Sequence, residues 1–208
     1  MNLRLLLAAG ALSLNAAAVA APASGTAAPA AAPLPQGPAI PGYCVFSLNA
    51  IIGSSKVGQA VVARLKILGS QVNAELQPEA DQIRTEERTL ESQTATLDAA
   101  TLQSRRQSLG VRAADFEKRE QLRQQEMQAT QNKQFGVVLH ELDPVMRDLY
   151  GAHRCSILVD GDQGGVKIVN PEMDLSRQAV VGLDARIQTL TFDREHLDTP
   201  GAAAAAAR

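Results

Sequence analysis

Two cysteines are the residues of this chain whose chemistry is easiest to anticipate. Cys44 and Cys155 are its only thiols, and each lies near the start of a short segment of strand-forming residues, 43–48 and 155–160. If the two segments form neighbouring parallel strands, their starting ends meet, and a disulfide can form within one chain or between two chains. The alternative is a pair of buried thiols that pack as small apolar residues.

The other reactive side chains do not form a catalytic or metal-binding pattern. The histidines His140, His153 and His196 lack the spacing at which one helix face binds a metal. The sequence contains no G-x-S-x-G, C-x-x-C or G-x-x-x-x-G-K-[ST] motif. Twenty Lys and Arg against 22 Asp and Glu, with 3% aromatic residues, are atypical of nucleic-acid-binding proteins. We therefore expect neither an enzyme nor a nucleic-acid-binding protein, and no metal or other cofactor.

The first twenty residues predict export, which is the setting in which a disulfide persists. Arg4 precedes an apolar run over 5–14, and Ala18 and Ala20 are the small residues of a signal-peptidase site. We expect a signal peptide over 1–20, cleaved near Ala20. Residues 21–42, rich in Ala and Pro, and 198–208 are low in complexity and are predicted to be a disordered leader and tail.

The elements that position the cysteines flank a long helical segment, 57–150. A single helix of this length could not bury itself, so the sequence predicts an antiparallel hairpin, a coiled-coil-like arm. Gly53-Ser54-Ser55 offers a cap for its first helix, since a Ser hydroxyl can accept from the N–H groups of a first turn. We place the turn at 94–101, a kink at Pro78, and a break at Pro144. Apolar residues are dense at the two ends of the segment and recur about every seventh residue towards its middle. This sparse seam consists of Ile83, Leu90, Leu97, Leu102, Leu109 and Phe116.

Residues 43–56 and 151–197 are predicted to form a small β body. Its strands are 43–48, 155–160 and a hairpin-paired third strand over 166–169. A last helix opens at 173–176, capped by Asp174 or Ser176, and its expected buried stripe is Val180, Val181, Leu183 and Ile187. Three short strands and one helix make a poor core, and the chain has no Trp and only four Phe. The predicted fold class is therefore α+β, with a helical arm projecting from a β body that other chains complete.

This order of elements resembles the OmpH/Skp family of periplasmic chaperones over about residues 43–190. The resemblance rests on a strand ending in Leu48-Asn49, followed by Ser-Lys-Val-Gly-Gln-Ala at 55–60. It also rests on the polar hairpin, the strand Ile-Leu-Val-Asp at 157–160, and Asp-Leu-Ser-Arg-Gln-Ala-Val-Val at 174–181.

The resemblance implies a periplasmic homotrimer, in which strands of three chains close a small barrel and three hairpins surround a cavity. Such chaperones bind unfolded outer-membrane β-barrel proteins without ATP, prevent their aggregation and release them to the outer-membrane assembly machinery. The six seam residues are then the candidate contacts with the client protein.

One feature departs from the family, and other classes remain open. Known members have cationic arms, whereas residues 75–126 here contain eleven acidic and eight basic side chains, a net charge of about −3. Long-range attraction of acidic clients is therefore not expected. The alternatives are a coiled-coil dimer along the whole helical segment, or a structural or adaptor coiled-coil protein of the bacterial envelope.

Overall fold

The structure, a computed structural model, describes residues 36–197. The predicted signal peptide, leader residues 21–35 and the tail lie outside the described residues. The elements follow one another as β1 (Tyr43–Phe46), α1 (Leu48–Ser54), α2 (Lys56–Ser92), α3 (Ala99–Ala152), β2 (Ile157–Asp160), a 3-10 turn (Pro171–Met173) and α4 (Ser176–Arg186).

The arm is an antiparallel hairpin of α2 and α3, joined by residues 93–98. The two helices have 37 and 54 residues, which correspond to about 55 and 80 Å at 1.5 Å per residue. The predicted turn is confirmed, although α3 begins at Ala99 rather than near Leu102. It begins there because the Asp98 carboxylate accepts a hydrogen bond from the Thr101 N–H at 2.9 Å and caps the helix.

Ion pairs between α2 and α3 define the register of the hairpin. Arg112 pairs with Glu86 at 2.5 Å, and Arg119 pairs with Glu79. From the first pair to the second, the position in α3 increases by seven and the position in α2 decreases by seven, as expected for antiparallel helices. The same register buries apolar residues of α2 between the helices, so the charged pairs flank the seam.

The start of α2 is capped from two directions. The Ser55 hydroxyl accepts a hydrogen bond from the Gly58 N–H at 3.2 Å, as the sequence predicts, and Asp184 of α4 accepts from the Lys56 N–H at 2.8 Å. A Cβ on Gly58 would lie 1.9 Å from the Ile52 carbonyl oxygen, so the tight junction between α1 and α2 requires glycine. The sequence predicts that the first strand extends to Leu48, whereas in the structure Leu48 begins the short helix α1.

The predicted break at Pro144 is wrong, because α3 continues through it to Ala152, two residues beyond the predicted end of the arm at 150. Helix α2 continues through Pro78, and the kink expected there stays a prediction. A proline removes one backbone donor from a helix. Around Pro144 the buried side chains of Leu142, Val145 and Met146 pack into the core, and this packing offsets the missing hydrogen bond.

Strands β1 and β2 are parallel neighbours, with Cys44 opposite Leu158. The third strand predicted over 166–169 is wrong: these residues form no strand, and Ile168 is 70% exposed. The second edge of β1 is occupied within the chain by the segment before α4, since the Leu175 N–H donates to the Val45 carbonyl at 2.8 Å. Residues 166–169 therefore have no partner strand within the described part of the chain.

The main core is helical and lies where α1, the root of α2, the end of α3 and α4 meet. Its buried residues are Ile51, Val57, Val61, Val138, Leu142, Val145, Met146, Ala179 and Leu183. The predicted stripe of α4 is correct at Leu183 and wrong at Val181, which is 66% exposed. Helix α4 instead lies against α3 through Gly182. The body is therefore less β-rich than the sequence suggests.

Candidate functional site

The chain after α4 turns back along the root of the arm. We call residues 188–197 the C-terminal strap. Leu190 and Phe192 of the strap pack against the main core. The Arg64 Nε donates to the Phe192 carbonyl at 3.0 Å, and the Glu195 N–H donates to the Thr130 hydroxyl at 2.9 Å. Both helices of the arm therefore bind the strap through its backbone.

A buried carboxylate lies beneath the end of the strap. Glu126 of α3 has no exposed surface. One of its oxygens, Oε1, accepts from the Leu197 N–H at 3.1 Å, and Oε2 lies 3.0 Å from Arg123 Nη1 and 3.1 Å from Arg194 Nε. Burying a carboxylate is tolerated when it is paired and hydrogen-bonded in this way.

A second carboxylate extends the cluster onto α2. Glu75 accepts from Arg123 Nε at 2.9 Å and from Arg194 Nη1 at 3.0 Å. Burial tends to raise the pKa of Glu75, but its bonds to Arg194 and Arg123 outweigh burial and hold the pKa below its usual value. Burial tends to lower the pKa of Arg123, and the bonds to Glu75 and Glu126 raise it. Both groups stay charged, as in a structural ion pair rather than a catalytic acid and base.

The seam residues divide into two groups. Ile83 and Leu90 are 7% and 9% exposed and pack between the helices, whereas Leu97, Leu102, Leu109 and Phe116 are half-buried. Leu90 and Leu109 are brought together at a groove of about 280 Å³ in the distal arm, and Leu102 lines a separate depression of about 710 Å³ near the turn. The outer half of the arm thus offers apolar surface that the hairpin itself does not fill.

A wider groove between α2 and α3 lies nearer the root. It has a volume of about 660 Å³ and combines aliphatic side chains with several Asn and Gln side chains. Its lining includes Leu65, Val72, Leu76, Met127 and Gln131. Such a surface can hold a polypeptide by dispersion contacts and amide hydrogen bonds. Among residues 36–197, no group of three or more His, Cys, Asp or Glu side chains is placed to hold a metal ion.

The two cysteines are joined in the structure. Cys44 and Cys155 form a disulfide within the chain, with Sγ atoms 1.95 Å apart, and both are buried beside Leu175. The bond links β1 to the residue that follows α3 by three positions. It therefore closes the chain at the base of the arm, across a sequence separation of 111 residues.

Comparison with known proteins agrees with this architecture. The family model for outer membrane protein (OmpH-like) matches residues 42–183. The chain belongs to the OmpH-like family. A crystal structure of a Caulobacter crescentus protein described as an OmpH-like outer membrane chaperone is 42% identical, with a TM-score of 0.66. The match covers 79% of this chain and 96% of that one. No curated protein matches.

The family match ends at Leu183, so the strap of this OmpH-like protein lies beyond it. Sequence reasoning missed the strap, Glu126 and Thr130. A signal was present on α3: Glu126, Thr130 and Gln134 precede Val138 and Leu142 at a constant spacing of four and continue the buried face of the helix as a polar stripe. Polar residues that continue the buried face of a helix predict that a segment with polar groups packs against that part of the helix.

No helix among the described residues of this OmpH-like protein is long and apolar enough to cross a membrane.

Proposed function

We propose that this protein is an ATP-independent periplasmic holdase chaperone that binds unfolded outer-membrane β-barrel proteins and prevents their aggregation. The observation that carries the proposal is the hairpin of α2 and α3, whose outer half keeps half-buried Leu97, Leu102, Leu109 and Phe116 on an otherwise polar surface. Membership of the OmpH-like family supports it. The activity needs no catalytic group, nucleotide, metal or nucleic acid.

The client contacts are many and individually weak. Strands of outer-membrane barrels alternate apolar and polar residues, so an unfolded client exposes apolar side chains at every second position. The widely spaced seam residues contact such a client at many points. No single contact has to be strong, because their combined binding free energy is enough to prevent aggregation. We assign direct contact to the four half-buried seam residues and to Val111, which is 58% exposed. Ile83 and Leu90 hold the hairpin together beneath them.

The working form is a homotrimer whose arms surround a cavity. The described chain leaves Ile157, Ile168 and Val181 exposed by 52%, 70% and 66% on the body. It also leaves one edge of the two-stranded sheet without a partner strand among residues 36–197. Exposed apolar side chains and an open sheet edge are each typical of an association surface. Strands of further copies would pair with that edge and cover these residues.

The location follows from export. We assign residues 1–20 to a signal peptide that is cleaved near Ala20, leaving the mature protein in the periplasm. A buried disulfide between Cys44 and Cys155 suits that oxidising compartment. Release of the client to the outer-membrane assembly machinery completes the proposed role, since tighter binding elsewhere can draw a weakly held client from the cavity.

An aggregation assay tests the function. A urea-unfolded outer-membrane β-barrel protein is diluted, without nucleotide, into buffer containing the mature protein, and light scattering is followed against chaperone concentration. We expect suppression that saturates near one trimer per client. Absence of suppression at several-fold excess would overturn the proposal. It would favour a structural spacer of the envelope, a role that the ion pairs between the arm helices also suit.

A further inference from the structure

We propose that the arm surface beneath the strap is a binding site for extended polypeptide, occupied in cis by the strap and exchangeable with an extended segment of a client. The identity of that competing polypeptide rests on the proposed holdase function. The existence of the site rests on the strap itself, which is a non-helical segment of this chain already seated on both arm helices.

The strap has the alternation of a strand. The side chains of Leu190, Phe192 and Arg194 are partly buried against the arm, whereas Thr191 and Asp193 between them are exposed. Period-two alternation is the sequence pattern of outer-membrane barrel strands. A client segment of this type therefore presents the same spacing of apolar side chains to the arm.

The arm recognises the strap largely through groups that every polypeptide has. Arg64 donates to a backbone carbonyl at position 192, and Thr130 accepts from the backbone N–H at position 195. Glu126 accepts from the backbone N–H at position 197, at 3.1 Å. Side chains of two helices thus bind the main chain at three points over six residues. Backbone recognition of this kind gives affinity without demanding one sequence.

The arginine of the strap adds specificity at one position. Arg194 lies between Glu75 and Glu126, 3.0 and 3.1 Å from their carboxylates. A basic residue in a client segment can take the same place. The preferred occupant is accordingly an extended segment with aliphatic or aromatic residues two apart, followed by Arg or Lys two residues later.

Occupation in cis sets the apparent affinity of the site. A tethered segment acts at an effective concentration of about 1 mM, so an added peptide competes poorly with the native strap. Weakening the strap, without touching the arm, empties the site more often. The apparent Kd for an added peptide is inversely proportional to the fraction of open molecules, so it falls by about tenfold if the loss of one charge-assisted contact raises that fraction tenfold.

Peptide binding tests the site directly. A fluorescent peptide that copies residues 187–198 is titrated, by anisotropy, with the full mature protein and with its Arg194→Ala and Phe192→Ala variants. These changes weaken the strap and leave the arm intact. We expect about tenfold tighter binding to either variant than to the unmodified protein. A scrambled peptide should not bind. The matched control is Arg186→Ala, which removes an exposed ion pair between α4 and Glu141, outside the strap, and should leave affinity unchanged.

Hydrogen exchange tests displacement by a client. The Glu195 and Leu197 amides are protected by the arm, so addition of a urea-unfolded outer-membrane β-barrel protein should speed exchange over 190–197.

The two experiments together decide between the outcomes. Peptide binding uses both Arg194→Ala and Phe192→Ala, so that one variant still reports if the other fails to fold, as judged by circular dichroism. If the peptide binds to neither variant although the variants fold, the proposed binding site is wrong. Unchanged exchange on addition of a client that the protein demonstrably holds would reduce the strap to a structural element, with the holdase function intact. Peptide binding without aggregation suppression would support the site and count against the function alone.

Discussion

Oε2 of Glu126 lies 3.1 Å from Nε of Arg194, and the carboxylate that receives this contact has no exposed surface. The two residues are 68 positions apart in the chain, and no periodicity connects them. Their pairing joins the last described segment to the middle of α3. Because Arg194 also contacts Glu75, one side chain ties the strap to both helices of the arm.

Removing the buried carboxylate should destabilise the protein strongly. Glu126→Ala removes one of the two carboxylates that Arg123 and Arg194 share, together with the acceptor of the Leu197 N–H, and we expect a loss of about 2–3 kcal/mol in the free energy of unfolding. Urea unfolding followed by circular dichroism measures it. Lys133→Ala, which breaks an exposed pair with Glu195, is the matched control and should cost less than about 1 kcal/mol. Equal effects of the two variants would show that burial at Glu126 contributes nothing.

Acid should weaken the same cluster. The pKa of Glu75 is lowered in the folded state, so its contribution to stability is present above the pKa of the unfolded chain, near 4.5, and is lost as pH falls through the folded pKa. The free energy of unfolding, measured in urea between pH 7 and pH 3, should fall less steeply below about pH 5 for Glu75→Gln than for the unmodified protein. Parallel pH profiles would contradict this.

The disulfide should be present in mature protein and should stabilise it. Non-reducing mass analysis should show no free thiol at Cys44 or Cys155. For a closed loop of about 110 residues, reduction should lower the free energy of unfolding by about 4–5 kcal/mol in the chain-entropy account. Thermal unfolding with and without reductant measures the effect. A variant with both cysteines changed to Ala serves as control and should not respond to reductant. Two free thiols in protein isolated from the periplasm would refute the bond.

The seam should separate into stabilising and binding residues. Leu90→Ala removes a side chain buried between the helices and should cost about 2–4 kcal/mol of stability. Leu109→Ser and Phe116→Ser together should change stability less but raise the chaperone concentration needed for half-suppression of aggregation by roughly threefold, since apolar contact area with the client is lost. Gln121→Ser, on an exposed position of the same helix, is the control. If the double variant suppresses aggregation as well as the unmodified protein, clients do not contact this part of the arm.

Replacing Gly182 by Ala should destabilise the protein, because the added methyl group would clash with Val145. A Cβ at Gly182 would lie 2.5 Å from Cγ1 of Val145, so Gly182→Ala should destabilise the contact between α4 and α3 by about 1–3 kcal/mol. Adding Val145→Ala should recover part of that loss. The control is Gly110→Ala, with nothing within 4 Å of the new Cβ, which should stabilise α3 by about 0.4–1 kcal/mol. Additive losses in the Gly182 and Val145 double variant would disprove the clash.

The features that could be predicted from the sequence are those set by residues close together in the chain. The helices of the arm, the turn after Ser92 and the Ser55 cap follow from the spacing of apolar residues and from the nearest polar side chain. The predictions at Pro144 and at 166–169 are wrong because residues distant in the sequence decide the structure at both places. Packing of α3 into the main core stabilises the helix on both sides of Pro144. The Leu175 N–H binds the edge of β1, so this edge is not available to residues 166–169. The alternation of the strap covers only residues 190–194, too few to predict where this segment lies, and its position depends on Glu126 and Thr130, which lie more than 60 residues before Glu195.

The bond between Cys44 and Cys155 makes the turn of the arm dispensable for the integrity of the molecule. A protease that cut the chain at residues 93–98, an exposed loop of the kind that is most readily cleaved, would leave two polypeptides still covalently joined at the base. Each would retain one full helix of the hairpin, and the ion pairs between the helices would hold the register. The protein would then exist as a disulfide-linked two-chain species, recognisable as one band without reductant and two bands with it.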